Sequence, residues 1–388
     1  MVGPALVSAA NSEIGLGRKV FSSNINRKKH MTNVLQLNIP PRVRPLNQRL
    51  SLLLDSFCNH RRSGDDVFWL KENAEILNIL ETSRTEAPDN LCEIYGAFYA
   101  EIEQRFAFFP QYYRFLLSIL LDLEDLGMKG TKGEAMVDWA IKQNLAGGEL
   151  SDLQRMEARR LMARRGFDPL GDDAGLEHRL RRFIGNSRIF SVPNKKAAYE
   201  LTHTVFYLSE YGRRDPALDQ GACDSLHFAG LMAYLEQNAD LLAEICIAMN
   251  FAQNEPPKVW TEWLFHEKLS YRLFCGDDVR VQDDYHEFLM CHWYQALSGD
   301  AVFDASIPQG RVRFERSATR TAPLREMSEY MLRHTHNRTG NWHKMRGPIE
   351  NEISREAADV LNTAAQSSDR FEAFFEGFAR ADHVGAMT

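Results

Sequence analysis

The sequence predicts an all-α fold, an irregular multi-helix array or α/α toroid-like bundle. Three observations predict it. Apolar residues recur at helical spacing along most of the 388-residue chain. No strand–turn–helix alternation of the dinucleotide-binding kind interrupts them. One segment, residues 193–215, reads as a helix that meets protein on two sides. The 44% hydrophobic and 26% charged content is that of a globular chain, so these stripes have a core to bury into.

The 193–215 segment is the centre of the reading. Asn194 follows Pro193 as an N-cap, and Gly212 suits the C′ position, with Arg213 and Arg214 at the negative end of the helix dipole. Leu201, Val205 and Leu208 fall on one side as a core stripe. Lys196, Tyr199, His203, Phe206, Tyr207 and Glu210 share an arc of roughly 100° on the other. An exposed face would carry Lys, Glu, Gln and Ser rather than two Tyr, a Phe and a His. That second face has two readings. It is a packed interior with satisfied hydrogen bonds, or it is a ligand pocket. On the pocket reading the catalytic set is His203, Tyr199, Tyr207 and Glu210, with His203 as the acid/base and the tyrosines as donors. Lys196, Arg114 and Asn73 then bind the ligand.

Taken in order, residues 1–30 are basic, poor in acids and lack hydrophobic pattern. They read as a disordered leader upstream of a start at Met31, or as a transit-like peptide. Residues 31–388 read as a single helical domain. Leu46–Cys58 is a short amphipathic helix. Asp65 or Asp66 caps the next, whose stripe of Trp69, Ile76, Leu77 and Leu80 includes Asn73, a buried amide that sets register or lines a pocket. Leu91–Gln104 is helical. Pro110 opens a helix ending at Gly127 that is apolar nearly all round, so Arg114 within it needs a carboxylate if it is buried. Trp139 marks another helix. Glu149–Arg165 is an arginine-rich surface helix. Leu218–Met249 is helical with a break at Gln237-Asn238-Ala239-Asp240. Trp260–Leu269 and Asp283–Tyr294 follow, the latter capped by Asp283 or Asp284. Arg311–Glu315 alternates like a strand. Glu326–His334, Ile349–Ala365 and a Phe-rich terminal helix close the chain.

Composition excludes several classes. The net charge of −7 gives no overall basic excess for nucleic acid, and no run of about 18 apolar residues suggests a membrane span. The six cysteines are scattered without a CxxC and read as reduced thiols of a cytoplasmic protein. There is no P-loop, GxGxxG, GxSxG or HExxH, so no cofactor is expected. Cys275, His286, Cys291 and His292 offer zinc-type ligands. The adjacent Cys291-His292 pair resembles that of lanthionine-synthetase cyclases, but Trp293 stands where that family has glycine. No metal site is expected from these residues. Asp122/Asp125 and Asp283/Asp284 read as capping and solvated acids rather than a terpene-cyclase magnesium motif.

Two groups of residues carry a family resemblance. The first is Asn194-Lys195-Lys196 with Glu200-Leu201-Thr202-His203 and Phe206-Tyr207-Leu208-Ser209-Glu210-Tyr211-Gly212. The second is Phe68-Trp69-Leu70-Lys71-Glu72-Asn73 with Phe109-Pro110-Gln111-Tyr112-Tyr113-Arg114. Together they resemble an uncharacterised alphaproteobacterial family of the Rhodobacter–Roseobacter group, a domain of unknown function, over Met31 to Arg380. The resemblance implies a bacterial cytosol and a start at Met31, and no activity. Two functions stay open: a small-molecule enzyme or binder with its pocket at Tyr199, His203 and Tyr207, or a helical scaffold with a structural polar interior.

Overall fold

The apolar stripes become sixteen α-helices in a computed structural model that describes residues 44–276, 282–299, 303–317 and 323–381. The expected leader, residues 1–30, lies outside the described residues. Helix α1 (Leu46–Asp55) runs into a single π-type turn, Ser56–His60. Helix α2 (Val67–Thr82) starts at Asp66, whose carboxylate accepts from Phe68 N at 2.9 Å. Helix α3 (Leu91–Phe108) precedes a 3₁₀ turn opened by Pro110, from which α4 (Tyr113–Asp125) continues. Then come α5 (Lys132–Lys142), α6 (Asp152–Ala163) and α7 (Leu176–Ile184). Helix α8 is Lys195–Leu208, and α9 (Gln220–Leu235) and α10 (Ala239–Phe251) are split by a turn at the predicted break. Helices α11 (Lys258–Leu269) and α12 (Tyr285–Leu297) flank strand β1 (Tyr271–Cys275). Strand β2 (Val312–Arg316), α13 (Pro323–Arg333), α14 (Trp342–Glu350), α15 (Arg355–Ser367) and α16 (Phe371–Ala379) complete the described order.

Helices α9 and α10 are buried on nearly every face, because the core surrounds them. Leu241, Leu242, Ile245, Ile247 and Met249 of α10 are all buried, and it packs against α8, α9, α11 and α12. The approach of α11 to α9 depends on Gly230. A Cβ there would stand 2.3 Å from Cζ3 of the fully buried Trp260. The Phe-rich terminal helix docks as expected, with Phe371, Phe374, Phe375 and Phe378 buried.

Helix α8 ends earlier than the sequence suggested. Tyr211 N donates to Phe206 O at 2.8 Å and Glu210 N to Tyr207 O at 3.2 Å, which closes the helix as a Schellman motif. Glu210, at φ 49°, therefore takes the left-handed position expected of Gly212. Packing of Phe206 and Tyr211 against Phe251 and Trp293 fixes this turn, overriding the glycine preference.

The predicted strand has a partner that the sequence did not reveal. β2 pairs antiparallel with β1, Leu273 opposite Phe314. The acidic pair Asp283/Asp284 serves this ribbon rather than capping α12. Phe314 N donates to Asp283 Oδ2 at 2.8 Å and Arg316 N to Asp284 Oδ2 at 2.9 Å. Asp122 is likewise no solvated acid. It is fully buried, bonded to Arg164 Nη1 at 2.7 Å.

His292 on α12 gives the fold a pH dependence. Its ring is stacked on Phe303 and packed against Phe288, and its Nδ1 accepts from Phe303 N at 3.2 Å. Burial pushes the imidazole down from 6.5 to about 3; Asp304 opposes this, and Lys268 and Arg49 add to it. The folded value lies below the unfolded one, so the unfolded chain takes up the proton first. Stability is full above pH 6.5 and falls as pH drops towards 3. The stability difference between wild type and His292→Gln should therefore shrink by about 2 kcal/mol from pH 6.5 to pH 5 in chemical denaturation. A difference independent of pH would show that His292 does not supply this dependence.

Candidate functional site

Four helices place their polar side chains around one cavity of about 490 Å³. Helix α2 contributes Lys71 and Glu75, α8 Tyr199 and His203, α10 Asp240 and Glu244, and α12 His286. The spacing makes this local. Residues 71 and 75, 199 and 203, and 240 and 244 are each four apart, so each pair shares one helix face. Phe206, Tyr211 and Trp293 form an aromatic wall, with ring centroids 5.3–5.9 Å apart.

The polar groups hold one another in a defined order. His286 Nδ1 lies 2.6 Å from Asp240 Oδ1, and Nε2 lies 3.4 Å from Glu75 Oε1. Tyr285 donates to the other Glu75 oxygen at 3.0 Å, and Tyr199 donates to Asp240 Oδ2 at 2.5 Å. The Thr202 hydroxyl sits 2.6 Å from Glu244 Oε2 and 3.0 Å from Tyr199 O. One hydroxyl proton serves only one of these acceptors. When Glu244 is protonated, it donates to Thr202, which then donates to the carbonyl; when Glu244 is ionised, Thr202 turns to it. His203 Nε2 stands 3.9 Å from Glu244 Oε2.

Charge is distributed unequally across this wall. Burial, then the Asp240 charge, pushes the Glu244 carboxyl up to about 8. Burial opposes the charged form of His286, but Glu75 and Asp240 outweigh it and hold the imidazole well above its ordinary value. The same pairing holds Glu75 and Asp240 below the usual carboxylate range despite their burial. Burial pushes His203 down, so it is the neutral base of the group. A carboxyl that keeps its proton beside a neutral imidazole is the arrangement that general acid–base chemistry needs.

The structure brings together only part of the set named from sequence. Tyr199 and His203 line the cavity, and the His203 side chain remains 39% exposed. Tyr207 stacks on His203 at 6.1 Å but faces a neighbouring cavity of about 480 Å³, which Glu210 also lines. Glu210 is exposed and pairs with Arg214 at 3.5 Å. Lys196 is 88% exposed and reaches Glu200; it stands on the first turn of α8, about 10 Å along the axis from His203. Arg114 is half-buried and pairs with carboxylates, Glu157 and, at 2.8 Å, Glu149; that use holds α4 to α6 and keeps it from the site. Asn73 is a buried register amide. Its Nδ2 donates to Phe57 O at 3.2 Å and Trp69 O at 2.9 Å, and its oxygen accepts from Tyr95 at 2.7 Å.

The sequence marked none of Glu75, Asp240 and Glu244 as site residues, and it offered His286 only as a zinc-type ligand beside Cys275, Cys291 and His292. Glu244 had a signal: it is the one charged residue in the run Leu241–Met249, where a solvated acid has no place. Asp240, Glu244 and His286 each offer a ligand atom within 4.8 Å of the others, the one such group of three among the described residues. The Cys275, His286, Cys291 and His292 set is not gathered. Cys275 is exposed on β1, Cys291 is buried, and His286 belongs to the carboxylate cluster.

Among the described residues no helix is long and apolar enough to cross a membrane. No curated protein and no solved structure matches the chain significantly. Residues 31–381 match the family described as "Domain of unknown function (DUF6902)", and the chain belongs to that family.

Proposed function

We propose that the protein binds a small polar molecule in the four-helix cavity, with His203 and Tyr199 meeting the ligand. The observation that carries this reading is the cavity itself. A half-exposed histidine, a tyrosine, a lysine and three carboxylates converge on one space walled by aromatic rings. The carboxylates and Lys71 suit the polar part of a ligand, and Phe206, Tyr211 and Trp293 its apolar part. We place the protein in a bacterial cytosol, a reading supported by six free cysteines.

The test is a thermal-shift screen of small polar metabolites against wild type and His203→Trp, which fills the cavity. A ligand at a hundred times its Kd stabilises the wild type by about 2.7 kcal/mol. The variant should lose this shift. Equal shifts in both proteins, or no ligand for the wild type, would count against the cavity.

A further inference from the structure

We propose that Asp240, Glu244 and His286 form a binding site for one divalent first-row transition ion at the wall of this cavity. The inference deepens the cavity reading and rests on it only for the position of the open side of the ion. It runs against the sequence-based expectation of no metal.

Proximity of the three ligand atoms, within 4.8 Å of one another, is the first observation and would not suffice alone. The second is what holds the other atom of each side chain. Tyr199 binds Asp240 Oδ2, Thr202 adjoins Glu244 Oε2, and Glu75 faces His286 Nε2. Each side chain is thus oriented from behind, leaving Asp240 Oδ1, Glu244 Oε1 and His286 Nδ1 for the ion. A carboxylate behind a ligating imidazole, with hydrogen bonds behind ligating carboxylates, is the outer shell that metal sites require. The third is Glu244 Oε1. Its side chain is 3% exposed, lines the cavity, and this oxygen accepts no hydrogen bond from any described residue. A buried acidic side chain whose second oxygen opens on a cavity, with no donor from the protein, is a place for a cation.

The donor set selects the ion. Two carboxylate oxygens and one imidazole nitrogen, without thiolate, suit Zn²⁺, Mn²⁺ or Fe²⁺ better than Cu⁺ or an iron–sulfur cluster. Bonds of about 2.0–2.2 Å put ligand atoms roughly 3 Å apart, so Glu244 turns inward while Asp240 Oδ1 and His286 Nδ1, now 2.6 Å apart, open slightly, by side-chain rotation on fixed helices. Three protein ligands leave coordination positions free on the cavity side, as in catalytic rather than structural sites. The ion takes the place of the proton between His286 and Asp240, so binding releases protons.

The experiment is titration of chelator-treated full-length protein with Zn²⁺ and with Mn²⁺. Calorimetry in two buffers of different ionisation enthalpy reads the protons, and elemental analysis reads the stoichiometry. The expected result is one ion per chain with proton release. Affinity should fall at least about 100-fold in Glu244→Gln and Asp240→Asn, and about 10–100-fold in Glu75→Gln, which removes only the group behind His286. Cys291→Ala should bind as the wild type does. Circular dichroism confirms that each variant is folded. Absence of stoichiometric binding to the wild type, or unchanged binding by folded Glu244→Gln and Asp240→Asn, overturns the site. Organic-ligand shifts measured on the chelated protein are read separately. Ion failure with surviving ligand shifts leaves the cavity reading intact, and ion binding without any ligand shift refutes that reading alone.

Discussion

Replacement of Arg61 by alanine is expected to lower unfolding free energy by about 3–5 kcal/mol, because it strips the partner from buried carboxylates. The guanidinium is enclosed. Nε donates to Glu72 Oε2 at 2.9 Å, and Nη1 and Nη2 donate to Asp283 at 2.8 and 3.0 Å. Nη1 also donates to Val312 O at 2.6 Å. The rings of Phe57, Tyr285 and Phe314 surround it at 5.0–5.3 Å. Glu72 retains Arg62 at 2.9 Å, so the Asp283 carboxylate is the group left most exposed to the loss. Arg61→Lys keeps the charge but cannot reach both acids as a fork, and should fall between the two. Urea denaturation at pH 7 measures all three; a loss below about 1 kcal/mol for alanine would mean that water replaces the guanidinium. The effect should reach the cavity. Arg61 ties the segment before α12 to α2, and Tyr285 and His286 at the start of α12 hold Glu75 on α2.

The class of the fold was legible because helical periodicity is a local property, written within each segment. Asp66 and Asn194 cap their helices by the expected side-chain bonds, and the Pro110 turn opens α4. What failed was set by tertiary context. The β1 partner of β2 lies some forty residues upstream, and Tyr271–Cys275 carries no alternation that would reveal it. Arg160, read as part of a solvated face, is buried over the ring of Tyr211 at 4.2 Å. The carboxylates Asp122 and Asp283 looked like surface acids because their arginine partners, Arg164 and Arg61, are distant in sequence.

The site was half legible for the same reason. The face of α8 was unusual enough to mark Tyr199 and His203 from local pattern alone. The groups opposite them come from three other helices, and only packing brings these to one space. Residues chosen for chemical type without topology, Arg114 and Asn73, proved to be committed elsewhere. Glu244 was open to detection, since an acid within an apolar run must find a proton, a cation or a donor. The structure gives it Thr202 on one oxygen and the cavity on the other.

Phe206 and His203 sit one turn apart on α8, and their substitutions should behave oppositely. Phe206 is 1% exposed, and its ring meets Tyr211, Phe251 and Trp293 at 5.3–5.7 Å. Phe206→Ala removes that ring from a packed aromatic cluster and leaves a void that fixed helices cannot collapse. The expected cost is about 3–5 kcal/mol. The His203 side chain is 39% exposed, and its nearest charged partner, Glu244, stands 3.9 Å away. His203→Gln deletes no tight contact and strands no buried donor, so it should cost under about 1 kcal/mol. Its effect should appear in ligand binding instead, because glutamine keeps polarity but lacks a base that titrates. Urea denaturation of both variants at pH 7 separates the two faces of the argument. A loss of about 2 kcal/mol or more for His203→Gln would mean that the histidine is packed rather than facing an open cavity.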